Sequence, residues 1–311
     1  MTKVIGKTGL VLAAIVFAAC GRAGAELDLV AYEQEIEDWR QGRLESLLAP
    51  TGYLNQIGLH WLEPGTYSIG SDAGNDIVVP ATAAARIGEF NVTEEGVRLV
   101  VADGVDVFNQ DMRVTDVLMP ADVTGNGIMV SHQSLAWSVI ERGGKLAVRI
   151  RDYDHPFVET FGPLPYYDIN PSKRVVATLR AYEEPRTITV NTVIEGFQQF
   201  PVSPGVVEFE IDDEIYQLEV QTSSNDRLFI VFGDETNRGE TYGAGRFVYM
   251  DDPGVDGGEA ILDFNKSYSP PCAFNDFSTC PVASPRNRLA VRIDAGEKFD
   301  PSLHYSGGEG H

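Results

Sequence analysis

Histidine and cysteine are scarce, at five and three residues in a chain of 311. No H-x-H, H-E-x-x-H or paired Cys/His spacing occurs, which excludes the common zinc sites. There is no G-x-S-x-G elbow and no G-x-x-x-x-G-K-[ST] phosphate loop, so two widespread hydrolase and nucleotide signatures are missing. No cofactor is therefore expected. No apolar run approaches the ~20 residues that a membrane-spanning helix needs. Positive charge is short as well: 24 Lys and Arg face 46 Asp and Glu, for a formal net charge of −22. Such a field repels nucleic acid and anionic head groups and favours solubility, so no nucleic-acid partner is expected.

What is present begins at the N-terminus. Lys3 and Lys7 precede an uncharged apolar stretch, Gly9 to Phe17, with the length and composition of a signal-peptide core. Phe17-Ala18-Ala19-Cys20 then resembles the bacterial lipobox. The resemblance implies a signal peptide over 1–19, cleavage before Cys20 and lipidation of its thiol, and so a membrane partner through that anchor. Several acyl chains give the stable attachment that one does not. Ala23-Gly24-Ala25 leaves open an ordinary secretory cut after Ala25. Gly21 stands where an Asp would favour inner-membrane retention. In a Gram-negative host, the lipoprotein resemblance thus implies the outer membrane, facing the periplasm.

The rest reads as mainly β. A linker and helix occupy residues 20–50, with Ile36, Trp39, Leu44 and Leu47 on one face and Pro50 as the stop. Short alternating strands with Gly, Asn and Asp turns follow. Residues 51–155 form a sandwich-like unit that includes Val97–Ala102, Ala136–Glu141 and Lys145–Arg151. Arg142-Gly143-Gly144 marks a hairpin between the last two. The proline-rich stretch His155 to Pro171 marks a boundary. Residues 156–300 form a larger sandwich or barrel, with a last strand expected at Leu289–Ile293, and the tail 301–311 is expected to be mobile.

Ile69 to Pro80 (IGSDAGNDIVVP) is similar to the opening of forkhead-associated domains, which implies a small sandwich of that kind. The phosphothreonine site does not carry over. Ser71 stands where that family usually has Arg, and Ala83-Ala84-Ala85-Arg86 replaces its Ser-x-x-His element. A phosphothreonine peptide is therefore not an expected partner.

The densest run of candidate site residues lies between Asp234 and Glu297. It contains Glu240-Thr241-Tyr242-Gly243-Ala244-Gly245-Arg246, then Asp263-Phe264-Asn265-Lys266-Ser267-Tyr268-Ser269-Pro270-Pro271-Cys272, then Ala295-Gly296-Glu297. With Gly58-Leu59-His60-Trp61-Leu62-Glu63, these strings resemble DUF1684, a bacterial and archaeal family described only as a domain of unknown function. The resemblance spans Asp38 to Phe299 and implies membership without an activity.

Read physically, Asp263 and Asn265 share a face of an extended strand, and Arg246 can take a carboxylate in a two-point pair. With Asp234, Tyr242 and Tyr268 they form a set able to hold a small polar ligand, or to pin loops to a barrel rim. Glu240 and Asp263, with His60, are the alternative: acid–base groups of a hydrolase acting on an envelope substrate. Asp234, Asp263 and Asn265 also form an oxygen set suited to calcium. Cys272 and Cys280, an even pair in an oxidising compartment, are expected to form a disulfide.

Overall fold

The computed structural model describes residues 27–306. The expected signal peptide, the lipidation at Cys20 and the residue His311 lie outside the described residues.

The N-terminal helix runs Leu29–Leu48. The Asp28 carboxylate accepts the Val30 and Ala31 amides, which otherwise lack helical partners. Its buried face carries Tyr32, Ile36 and Leu47. Arg40 and Arg43, on the half-buried flank, lay their guanidinium groups over the Tyr166 and Tyr268 rings. Pro50 follows the last turn, where it cannot continue a helix.

A two-sheet sandwich comes next. The first sheet runs, in spatial order, Gln56–Leu62, Lys145–Asp152, Leu135–Arg142, Met129–His132, Val107–Asn109 and Met112–Val114. The second runs Ile77–Val78, Gly65–Gly70, Gly88–Thr93, Gly96–Val101 and Asp116–Met119. One core lies between them, with Phe90, Trp137 and Val148 fully buried. Side chains of this size contribute on the order of 2–3 kcal/mol each on burial. The expected hairpin is present, with Arg142 paired to Lys145. Gly143 and Gly144 both have positive φ, at 57° and 75°, as a two-residue turn of this hand requires.

The Ile69–Pro80 segment is a turn held by its own side chains. Asp76 accepts Ser68 N and Oγ, and Asn75 Nδ2 donates to the Asp72 and Ala85 carbonyls. His132, buried, accepts from Ala84 N and bonds the Asp106 carbonyl.

The second unit is a six-stranded antiparallel sheet ordered Arg246–Asp251, Arg227–Phe232, Glu214–Thr222, Val202–Ile211, Arg174–Thr187 and Glu259–Asp263. Its two end strands come beside each other in space. The sheet is a nearly closed barrel with its own core of Leu218, Ile230, Phe232, Val248 and Phe264.

Two expectations are corrected, on the last strand and on the tail, and the boundary stretch gains an element. Leu289–Ile293 is not a strand: Leu289 and Ile293 plug the barrel core, while the Ile293 and Ala295 carbonyls accept from Arg246 instead of joining a ladder. The boundary stretch carries a short helix, Pro156–Thr160, capped by the His155 ring. The first part of the tail is docked: Asp300 caps Pro301–Leu303, His304 bonds Ala273 O and Asp276, and Tyr305 packs on His155.

Candidate functional site

Strand alternation gives both units an outer face. In Lys145–Asp152, Val148 and Ile150 enter the sandwich core, so Arg149 and Arg151 project outward. In the barrel, Ile230 and Val248 face inward, so Phe229, Phe247 and Tyr249 project outward. These two outer faces meet beside the N-terminal helix. A cleft of about 420 Å³ opens there, lined among others by Arg43, Arg142, Arg149, Phe229, Tyr249 and Tyr268. Its size is ordinary for a small-molecule site.

One wall is basic and the other aromatic. Phe229 meets Phe247 edge-on and lies against Tyr249, each at 4.9 Å between centroids. Tyr268 stands edge-on to Phe247 at 5.8 Å, and its hydroxyl is pushed up by burial and by Tyr249. The disulfide loop supplies Ser278, Thr279 and Cys280. Cys272 and Cys280 are joined as expected, with Cα atoms 6.1 Å apart.

The lining contains three arginines and no Asp, Glu, Lys or His. In a chain carrying 46 acidic residues, that is a sharp local reversal. Arg43 has a partner in buried Glu297, whose carboxyl oxygen lies 3.3 Å from its Nε. Burial holds the Glu297 carboxyl above the usual range. Arg142 pairs with Asp122 at 2.7 Å. Arg149 differs: among the described residues its buried Nε has no hydrogen-bond partner, and no carboxylate pairs with it. Burial, and then Arg142 and Arg151, push its pKa down to about 10.

The residues singled out from sequence are placed otherwise. Arg246 is fully buried. Its Nη2 donates to Asp234 Oδ2 and Ile293 O, both at 2.7 Å, and its Nη1 donates to Ala295 O. The other Asp234 oxygen accepts Thr236 N at 2.6 Å. Gly245 makes the approach possible: its φ is +114°, and a Cβ there would lie 2.5 Å from Phe232 O. Arg246 and Asp234 thus pin loops to the barrel and do not face a ligand.

Asp263 and Asn265 do not share an extended strand: the strand ends at Asp263, which caps a 3-10 turn over Phe264–Lys266 that holds Asn265, and the two meet instead at Tyr32 of the N-terminal helix. Tyr32 Oη donates to both Asp263 oxygens at 3.0 Å and accepts from Asn265 Nδ2 at 2.9 Å. Asn265 is further committed to Asn170 N and O. The calcium set is therefore not assembled, because Asp234 and Asp263 are tied to different partners. Among the described residues, no group of three or more His, Cys, Asp or Glu is placed to hold a metal.

Nor do the acid–base candidates meet. Glu240 sits at the surface on Arg292 (2.7 Å) and Tyr167 (3.0 Å). Those bonds, Arg292 first, hold its carboxyl below the usual range, the reverse of what a general acid needs. His60 is in register with Val148, and through it with Val139. It lies on the inner face of its sheet, away from Arg149. Tyr242 packs edge-on against Phe299 at 5.3 Å. Of the predicted ligand-binding set, Tyr268 alone lines the cleft.

The sequence reading missed Arg43, Arg142 and Arg149. A signal was there: residues 142–151 hold four basic residues and no acidic one, in a chain where acids prevail almost two to one.

No curated protein matches the chain. Among solved structures, it is similar to an uncharacterised protein of Haloarcula marismortui determined in solution by NMR. The two are 31% identical, over 46% of this chain and 79% of the other, with a TM-score of 0.39. The family model described as "Protein of unknown function (DUF1684)" matches residues 159–298. That span holds the barrel and its loops, so the sandwich lies outside it. The chain belongs to the DUF1684 family.

Proposed function

We propose that this chain is an exported lipoprotein, anchored through Cys20 in the cell envelope, that binds a small polar ligand in the cleft between sandwich and barrel. The observation that carries the binding reading is the cleft itself: about 420 Å³, lined by charged, hydroxyl and aromatic groups from the helix and both units. Convergence of separate elements on one polar and aromatic hollow is the usual architecture of a small-molecule site. The hydrolase alternative loses its support, since Glu240 and Asp263 sit apart in salt-bridged and hydrogen-bonded roles.

Two experiments test the reading. Thermal-shift screening of the full chain in detergent against a polar metabolite set should give stabilising hits. Thr279→Trp, which fills the cleft, should abolish them; hits that survive it would place the ligand elsewhere. Labelled palmitate should enter the wild type and not Cys20→Ala; equal labelling would reject the anchor.

A further inference from the structure

The chemical class of ligand follows from how the charges in the cleft are balanced, and rests on the cleft being the binding site. Arg43 and Arg142 each have a carboxylate partner, Glu297 and Asp122. Arg149 has none among the described residues, and its Nε is buried without an acceptor. Two residues on, Arg151 donates to Asn55 Oδ1 at 2.7 Å and to Gly52 O, neutral acceptors that leave its charge uncompensated. A half-buried guanidinium beside a second cation is costly to desolvate. An oxyanion taken from solvent would relieve that cost and satisfy a planar fork built for carboxylate or phosphate.

The opposite wall restricts the rest of the ligand. Phe229, Phe247, Tyr249 and Tyr268 form a continuous aromatic surface, with successive centroids 4.9 to 5.8 Å apart. Such a surface favours a flat unsaturated body through offset or edge-on contacts. Ser278 and Thr279 line the cleft from the disulfide loop. The other large hollow, about 440 Å³ on the outer face of the barrel, is lined by Glu208, Glu210 and Glu259 on open strands. It offers no cation to an anion.

We infer that the cleft selects organic oxyanions carried on a flat, unsaturated body. Arg149 takes the anion and the Phe229–Phe247–Tyr249 wall takes the body. The selectivity is electrostatic as well as steric, because the chain carries a net charge of −22 while the lining of this cleft carries three arginines and no carboxylate.

The test is isothermal titration of the full chain in detergent with four probes: benzoate, phenyl phosphate, benzamide and acetate. Benzoate or phenyl phosphate should bind about 10-fold or more tightly than neutral benzamide, the difference a charged hydrogen-bonded pair makes. Acetate, lacking the ring, should bind weakly. The stronger of the two aryl anions names the head group as carboxylate or phosphate. Arg149→Met should reduce anion and benzamide affinities to near parity, and Arg149→Lys should retain part of the preference, with circular dichroism confirming that both fold. Benzamide binding as well as the anions in the wild type would overturn the inference and leave the cleft reading intact. No binding of any probe, with screening hits insensitive to Thr279→Trp, would overturn both.

Discussion

Arg149 and Arg151 stand two residues apart on the outer face of one strand, and among the described residues neither guanidinium meets a carboxylate. Soluble proteins seldom leave two such charges together and half-buried without a reason. Here the sandwich presents Arg149 to a cleft whose far side is the barrel, with the Arg151 charge beside it.

The arrangement sets stability against binding. Arg149→Met should make the unliganded chain more stable, by about 1–2 kcal/mol, since it removes a buried charge without a partner. Urea denaturation of both proteins without ligand reads this directly. A loss of stability would mean that the guanidinium serves packing.

Arg246 belongs to a different kind of site. It holds Asp234, Ile293 and Ala295 together inside the protein. Asp234→Asn should therefore cost on the order of 3–5 kcal/mol, because it leaves a fully buried guanidinium uncompensated. The double variant Asp234→Leu/Arg246→Met should cost less than the sum of the two single changes. Denaturation midpoints of the three variants give the coupling.

Glu297 gives a pH signature. Burial raises its folded pKa above the usual 4.5, so the folded state holds this proton more tightly than the unfolded state. The stabilising contribution of the protonated form is complete below pH 4.5 and is lost as pH rises through the raised folded value. Glu297→Gln stays neutral throughout. Its stability relative to the wild type should climb between pH 4.5 and 7, measured by thermal unfolding at each pH. A flat difference would contradict the assignment.

The disulfide joins stability to the site. Replacing both Cys272 and Cys280 by Ala should cost about 2–3 kcal/mol, the value for closing a short loop. It should also weaken ligand binding, because Ser278 and Thr279 lie on that loop and line the cleft. Unfolding and titration of the double variant separate the two effects.

Much of the architecture was legible because it rests on local rules. The Arg142-Gly143-Gly144 turn, the alternation of Val148 with Arg149 and the helix stop at Pro50 are each dictated within a few residues. The pairing of Cys272 with Cys280 followed from their count and from the expected export. The site was not legible in the same way. Arg246 and Asp263 look like ligand groups in a sequence, since nothing local shows that Ile293 and Tyr32 close over them. Arg149 looks like an ordinary solvent-facing strand residue, because the barrel that covers it begins well after the strand ends. Leu289–Ile293 has the alternation of a strand and became a core plug, since Arg246 takes the carbonyls that a neighbouring strand would have used.

The central claim is that the cleft holds a small anion-bearing ligand, and native mass spectrometry of the full chain, purified in detergent from its native host, tests it most directly. The wild type should carry an excess mass that disappears on denaturation, and Arg149→Met should lack it. Equal excess mass on both proteins, or a wild type that carries none and gains none when the screening hits are added, would contradict the account.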